Sequence, residues 1–239
     1  MSATRLKSGR WPETITDLEA IQEEIGRSAD SITPWTFADD RPAAIGGVFI
    51  AYRRGLRGAG ERGEPAWMGA AVYEGQRRIA VAALEGRAAA PYIAGYLALR
   101  EGALLESAAR QLIPPPDVLL VDATGRDHPR RAGLALHLGT ILDLPTVGVT
   151  DRTLVAVAEQ PGPRRGDRAP LQIGDELVGF YLRTRDATRP LFVHAGWRTS
   201  PQTACETVLA ATSRHRTPEP LRESRRLARD LRNRAIRMP

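Results

Sequence analysis

Three side chains in the middle of the chain have the types and placing to do chemistry at one edge of a sheet. Asp122 closes the apolar run VLLVD, Glu101 lies in the helical segment that begins near Gly95, and His128 opens the string HPRR. Two carboxylates on neighbouring elements can hold a hard divalent cation, which prefers a few carboxylate oxygens and completes its shell with water and phosphate. Taken as a pattern alone this is thin, because most Asp and Glu residues at element ends are solvated or cap a helix. Cys205 is the only cysteine, so an intramolecular disulfide and a thiolate-rich metal site are both excluded. Any metal must sit on oxygen or imidazole.

The elements that position these residues follow from periodicity. Residues 14–29 place Ile15, Leu18, Ile21, Ile25 and Ala29 at helical spacing, an amphipathic helix outside the main sheet. AAIGGVFIAY, AWMGAAVYEG and QRRIAVAALEG read as a strand followed by a hairpin that turns at Gly75. A helix is expected from Gly95 to Leu112, ended by the Pro114, Pro115, Pro116 run. DVLLVD is a buried strand that delivers its carboxylate to the C-terminal edge. A helix from Arg130 to about Leu142 and a short strand, PTVGVT, follow. Residues 159–174, rich in Pro, Gly and Arg, read as a surface loop. Two late strands, ELVGFYLRT and PLFVHAG, precede helices at about 200–213 and 219–236. This order predicts an α/β fold with a mixed sheet and helices on both faces.

The 239 residues, 42% of them hydrophobic, suit one domain spanning the chain, with an N-terminal helical extension over 1–40 and a basic C-terminal helix over 214–239. The net charge of +6 suits a polyanionic partner. Lys7 is the only lysine, so almost all of the positive charge is arginine, whose planar fork binds phosphate well. The arginines between Arg214 and Arg237, taken alone, read as a solvated helix face. No run approaches the roughly 20 apolar residues of a membrane helix, and the first residues lack the apolar stretch of a signal peptide. The chain reads as cytosolic.

Particular strings carry a family resemblance. Residues 91–112, PDVLLVDATGRDHPRRAGLALHLG at 116–139, LDLPTVGV at 142–149, PLFVHAGWRTS at 190–200 and the late RTPEPLRESRRLA resemble, in order, the core motifs of the endonuclease V family. The resemblance implies a ribonuclease H-like fold and hydrolysis of a phosphodiester near deoxyinosine in DNA or inosine in RNA, with Mg²⁺ or Mn²⁺. It implies that Glu101 and Asp122 are metal-binding carboxylates and that His128 is an imidazole near the scissile phosphate. Arg130 and Arg131 would contact the nucleic-acid backbone. Tyr92 and Ile93 would form the wedge that fills the gap left by an extruded base, and Gly95 and Leu97 would line its pocket.

The departures from the family pattern fall on the same site. Phe49 stands where the resemblance implies a metal-binding aspartate, Trp197 where it implies a histidine, and Asp151 where it implies a lysine. Ala94 replaces a wedge proline and Ala123 a glycine against which the base packs. A phenyl ring cannot coordinate a cation. Phe49 and Trp197 are expected to pack on each other over a disused metal site, or else to offer a stacking face to a base. Asp151 or Asp127 would have to supply the missing ligand if catalysis survived. Three readings result: a weakly active nuclease, a non-catalytic nucleic-acid-binding relative, and a fold repurposed for another ligand or reaction.

Overall fold

The computed structural model describes residues 11–55 and 58–237. Lys7, the first ten residues of the expected N-terminal extension and the last two of the expected C-terminal helix lie outside the described residues. Helix α1 (Ile15–Ser28) is capped by Thr14, whose hydroxyl accepts from the Asp17 amide. Strands β1 (Ala44–Tyr52), β2 (Pro65–Glu74) and β3 (Arg77–Arg87) form the antiparallel start read from the sequence. Next come α2 (Leu97–Arg110), β4 (Val118–Val121), α3 (Leu134–Leu142) and β5 (Thr146–Thr150). The chain then forms β6 (Arg168–Ile173), β7 (Glu176–Leu182), β8 (Leu191–Ala195), α4 (Pro201–Ala210) and α5 (Glu219–Arg237).

The eight strands make one mixed sheet in the order β3-β2-β1-β4-β5-β8-β7-β6, with β1, β4 and β5 parallel and the other neighbours antiparallel. Alternation along the strands divides the core into two layers. Leu119 and Val121 of β4 pack with α2, α3 and Leu18 of α1, whereas Val118 and Leu120 pack with α4 and Leu221 of α5. Helices therefore cover both faces.

Two expectations differ from the structure. The helix expected to begin at Arg130 begins at Leu134. Pro129 and the left-handed Arg131, φ 57°, hold the preceding residues in a turn. The segment expected to be a loop from 159 to 174 contains β6, an edge strand whose residues alternate between exposed and buried. Its Pro170 is tolerated because an edge strand has a side that needs no ladder donor.

One close approach sets the geometry of the site. A Cβ added to Gly47 of β1 would lie 2.6 Å from the Pro220 carbonyl carbon, and one added to Gly69 of β2 would lie 2.2 Å from the Ser224 carbonyl oxygen. Only glycine lets the backbone of α5 sit this near the sheet. The Ser224 hydroxyl donates to the Gly47 carbonyl at 2.7 Å and fixes the helix there.

Candidate functional site

The parallel strands deliver their C-terminal ends to one edge. The register pairs Val48 with Val121 and Val121 with Gly148, which sets Phe49, Asp122 and Val149 side by side, with Thr150 one residue further along β5. By the same alternation, Phe49 follows Gly47 and Asp122 follows Leu120 onto the face covered by α5. Phe49, Asp122, Asp151, Arg152, Arg225 and Arg229 line a cavity of about 430 Å³ at this edge.

Arg225 and Arg229 stand one turn apart on α5. Both guanidinium groups lie over the Phe49 ring, 5.3 and 5.7 Å from its centroid, within the range of a cation–π attraction. Arg225 Nη2 also donates to Asp122 Oδ2 at 3.1 Å. Burial pushes the Asp122 carboxyl above its ordinary range, while Arg225 pulls it down. Burial acts in the same raising sense on Asp151, but there the bond from Arg216, at 2.5 Å, and the nearby Arg225 win, and the group is held low.

Glu101 of α2 is buried. Burial pushes its carboxyl up to about 8; the Tyr52 hydroxyl and Arg100 oppose the rise, and the Asp122 charge adds to it. Arg100 is engaged elsewhere, paired with Glu64, bonded to the Ala90 carbonyl at 2.6 Å and stacked over the Tyr52 ring.

These residues do not fit a divalent cation. Phe49 offers no donor and Asp122 is bonded to a guanidinium, whereas Mg²⁺ and Mn²⁺ need several oxygen ligands free to coordinate. Among the described residues no group of three or more His, Cys, Asp or Glu side chains is arranged to hold a metal. Nor does Asp127 step in. It is fully buried, and its oxygens accept from the amides of Leu154, Val155 and Ala156 at 2.7, 2.9 and 2.8 Å. Its role is to anchor that loop.

A second cavity, of about 270 Å³, opens beside the first and shares Asp122, Thr150 and Arg152 with it. Gly95, Leu97, Ala123 and His128 are among its walls, and Tyr92 stands at its margin. Gly95 has φ 82°, which a glycine adopts without strain. His128 braces that turn. Its Nδ1 accepts from the Arg130 amide at 3.1 Å, so the proton sits on Nε2, which donates to the Gly95 carbonyl at 2.9 Å. The ring is 1% exposed, and burial lowers its pKa. Tyr92 and Ile93 are 51% and 39% exposed, a prominent pair beside this cleft.

The arginines expected to meet a nucleic-acid backbone are otherwise engaged. Arg130 pairs with Glu19 and bonds the Tyr96 hydroxyl at 2.9 Å, while Arg131 donates to Glu176 at 2.5 Å. The expected packing of Phe49 on Trp197 is absent. Trp197 packs with Ile25, Ala132 and Leu136. Since β8 runs antiparallel to β5, with Ala195 opposite Val147, its C-terminal end lies at the sheet edge opposite the site.

Arg225, Arg229, Arg152 and Gln22 are site residues that the sequence did not single out. The one available signal was spacing: Leu221, Ser224 and Ala228 mark the buried stripe of α5, and Arg225 and Arg229 each follow it by one position.

A family model described as Endonuclease V matches residues 35–226. The curated Endonuclease V of Streptomyces avermitilis is 34% identical over 235 residues, 96% of each chain. That of Roseiflexus castenholzii is 36% identical over 220 residues, 91% of this chain and 93% of the relative. The alignments to relatives from Nocardia farcinica and Dictyoglomus thermophilum are shorter and span 61% and 58% of those proteins. The solved Streptomyces avermitilis structure superposes with a TM-score of 0.80 at 32% identity, over 96% of this chain and 97% of that one. The Ciona intestinalis Endonuclease V, solved with a 24mer DNA containing an inosine followed by a ribo-adenosine, shares the fold at a TM-score of 0.75 and 22% identity, over 92% of this chain and 98% of that one.

Proposed function

This chain belongs to the endonuclease V family, and on that premise we propose that it binds DNA or RNA at an extruded, inosine-type base while its metal-dependent cleavage is weak or lost. The bond from Arg225 to Asp122 beside Phe49 carries the second half of the reading. Family nucleases are metal-dependent, and here a ring and a guanidinium-bound carboxylate stand at two of the implied ligand positions. Losing one element of a metal clamp removes several kcal/mol of barrier stabilisation, about 10²–10³ or more in rate.

The second cavity supports the first half. Its floor is built from the Gly95 turn and the end of β4, and Tyr92 and Ile93 stand exposed beside it. A base rotated out of the stack costs a few kcal/mol. An aromatic side chain in the gap returns about 1–3 kcal/mol by stacking. Tyr92 and Ile93 would occupy the gap, while the base lies against Leu97 and Ala123 within the walls that His128 braces.

The test compares oligonucleotides carrying one deoxyinosine, or one inosine in RNA, with adenine controls. Binding is expected in EDTA, with preference for the inosine strand, and nicking with Mg²⁺ or Mn²⁺ no greater than in a protein-free control. Metal-dependent nicking that Asp122→Ala abolishes would overturn the loss of cleavage. Failure to bind any strand at low salt would overturn the nucleic-acid reading.

A further inference from the structure

The cavity beside Asp122 has a surplus of positive charge. Three guanidiniums, from Arg152, Arg225 and Arg229, face two carboxylates, those of Asp122 and Asp151. Asp151 is already neutralised by Arg216, and Asp122 by Arg225. Arg152 and Arg229 are exposed and make no side-chain hydrogen bond or ion pair among the described residues. They contrast with Arg130 and Arg131, which face the neighbouring surface but are bound to Glu19 and Glu176. The surplus sits where the two cavities meet, because Arg152 lines both. On the nucleic-acid reading, a base in the smaller cavity would set the backbone that carries it beside the larger one.

We propose that this cavity is a metal-independent phosphodiester site, in which Arg229 and Arg152 hold a phosphate and Arg225, oriented by Asp122 and the Phe49 ring, supplies the positive field that a divalent cation would otherwise give. The ligand class is an oxyanion of a nucleic-acid backbone, and the inference rests on the nucleic-acid reading above. Phe49 has a defined part in it. Its ring face lies under both α5 guanidiniums and turns them toward the cavity, a task that a carboxylate at this position would not perform, since it would pair with them and cancel their charge. Phosphate-binding guanidiniums need no ordered metal, only a fixed fork and a partner that limits its motion.

Fluorescence anisotropy of the full chain with a short single-inosine oligonucleotide, between about 50 and 200 mM salt, tests this. Affinity in EDTA is expected to equal affinity in Mn²⁺ within about twofold. Arg229→Gln and Arg152→Gln are each expected to weaken binding about tenfold and to lower the log–log salt slope by about one. Both side chains are exposed, and circular dichroism checks that the variants stay folded. Wild-type binding that neither substitution alters, or that Mn²⁺ tightens more than about tenfold, overturns the phosphate site and leaves the nucleic-acid reading standing. A wild-type chain that binds no oligonucleotide overturns both.

Discussion

Replacing Asp122 by asparagine separates a guanidinium site from a metal site by the sign of the effect. In a metal nuclease the change removes a ligand and weakens metal-supported binding. Here the carboxylate accepts from Arg225 at 3.1 Å, so a phosphate bound on the far side of that guanidinium lies roughly 6 to 7 Å from it. Two unit charges at that distance repel by about 0.6 kcal/mol at the permittivity of water and about 2.5 kcal/mol at an effective value near 20. The side chains of Asp122 and Arg225 are 26% and 23% exposed, which places the site between those limits. Asp122→Asn should therefore tighten binding in EDTA by about three- to seventyfold, toward the lower end as salt rises. The asparagine is nearly isosteric and can still accept a hydrogen bond from Arg225, so the helix has no reason to move. Anisotropy titrations of both proteins in EDTA, at two salt concentrations, give the comparison. Weaker binding by the variant, or unchanged binding at low salt, would refute the electrostatic account.

Tyr92→Ala should reduce the preference for an inosine strand over its adenine control by about tenfold, from the loss of about 1–3 kcal/mol of stacking, without changing the salt slope; competition binding measures it. Gly69→Ala places a Cβ against backbone atoms of α5 and should cost about 1–3 kcal/mol in denaturant unfolding, with a parallel loss of binding as Arg225 and Arg229 shift. Burial holds His137 down to about 4, whereas the unfolded chain protonates it near 6.5. Its contribution is therefore full above pH 6.5 and is lost as pH falls from 6.5 to 4, by about 3 kcal/mol. His137→Leu should flatten part of that acid slope in urea midpoints measured against pH; His194, which burial also holds low, retains the rest.

The strands were legible wherever one residue pattern decided them. The hairpin of β2 and β3 and the buried run of β4 were read from alternation and from a turn at Gly75, and the structure has them there. The start of α3 was not, because nothing in HPRR announces that Arg131 adopts a left-handed conformation while His128 ties the turn to Gly95. β6 was hidden by a composition of Pro, Gly and Arg that an edge strand tolerates and a central one does not. Within the site, Phe49 beside Asp122 was legible from the motifs in order, since parallel neighbours end at a common edge. Trp197 was misplaced because a strand does not carry its own direction; only its pairing with β5 shows that it ends at the other side of the sheet. Arg225 and Arg229 were lost among the many similar arginines of α5. What singles them out is the contact at Gly47 and Gly69, a tertiary fact that no helical periodicity contains.

A phenylalanine at a metal-ligand position could mark decay alone, and the neighbouring residues argue against that. Removing one ligand and the metal would leave the half-buried Asp122 charge with nothing to offset it, a costly arrangement. In this chain the Asp122 charge has an answer, since the carboxylate is bonded to Arg225. The ring that cannot bind a cation holds two guanidiniums over its face. Glycines in β1 and β2 keep α5 close enough for those guanidiniums to reach. Each feature meets a need created by another, as expected when local choices agree with one electrostatic design. The two positive charges of a divalent ion have their counterpart in two arginines, and a site of that kind has a reason to bind a phosphate without a metal.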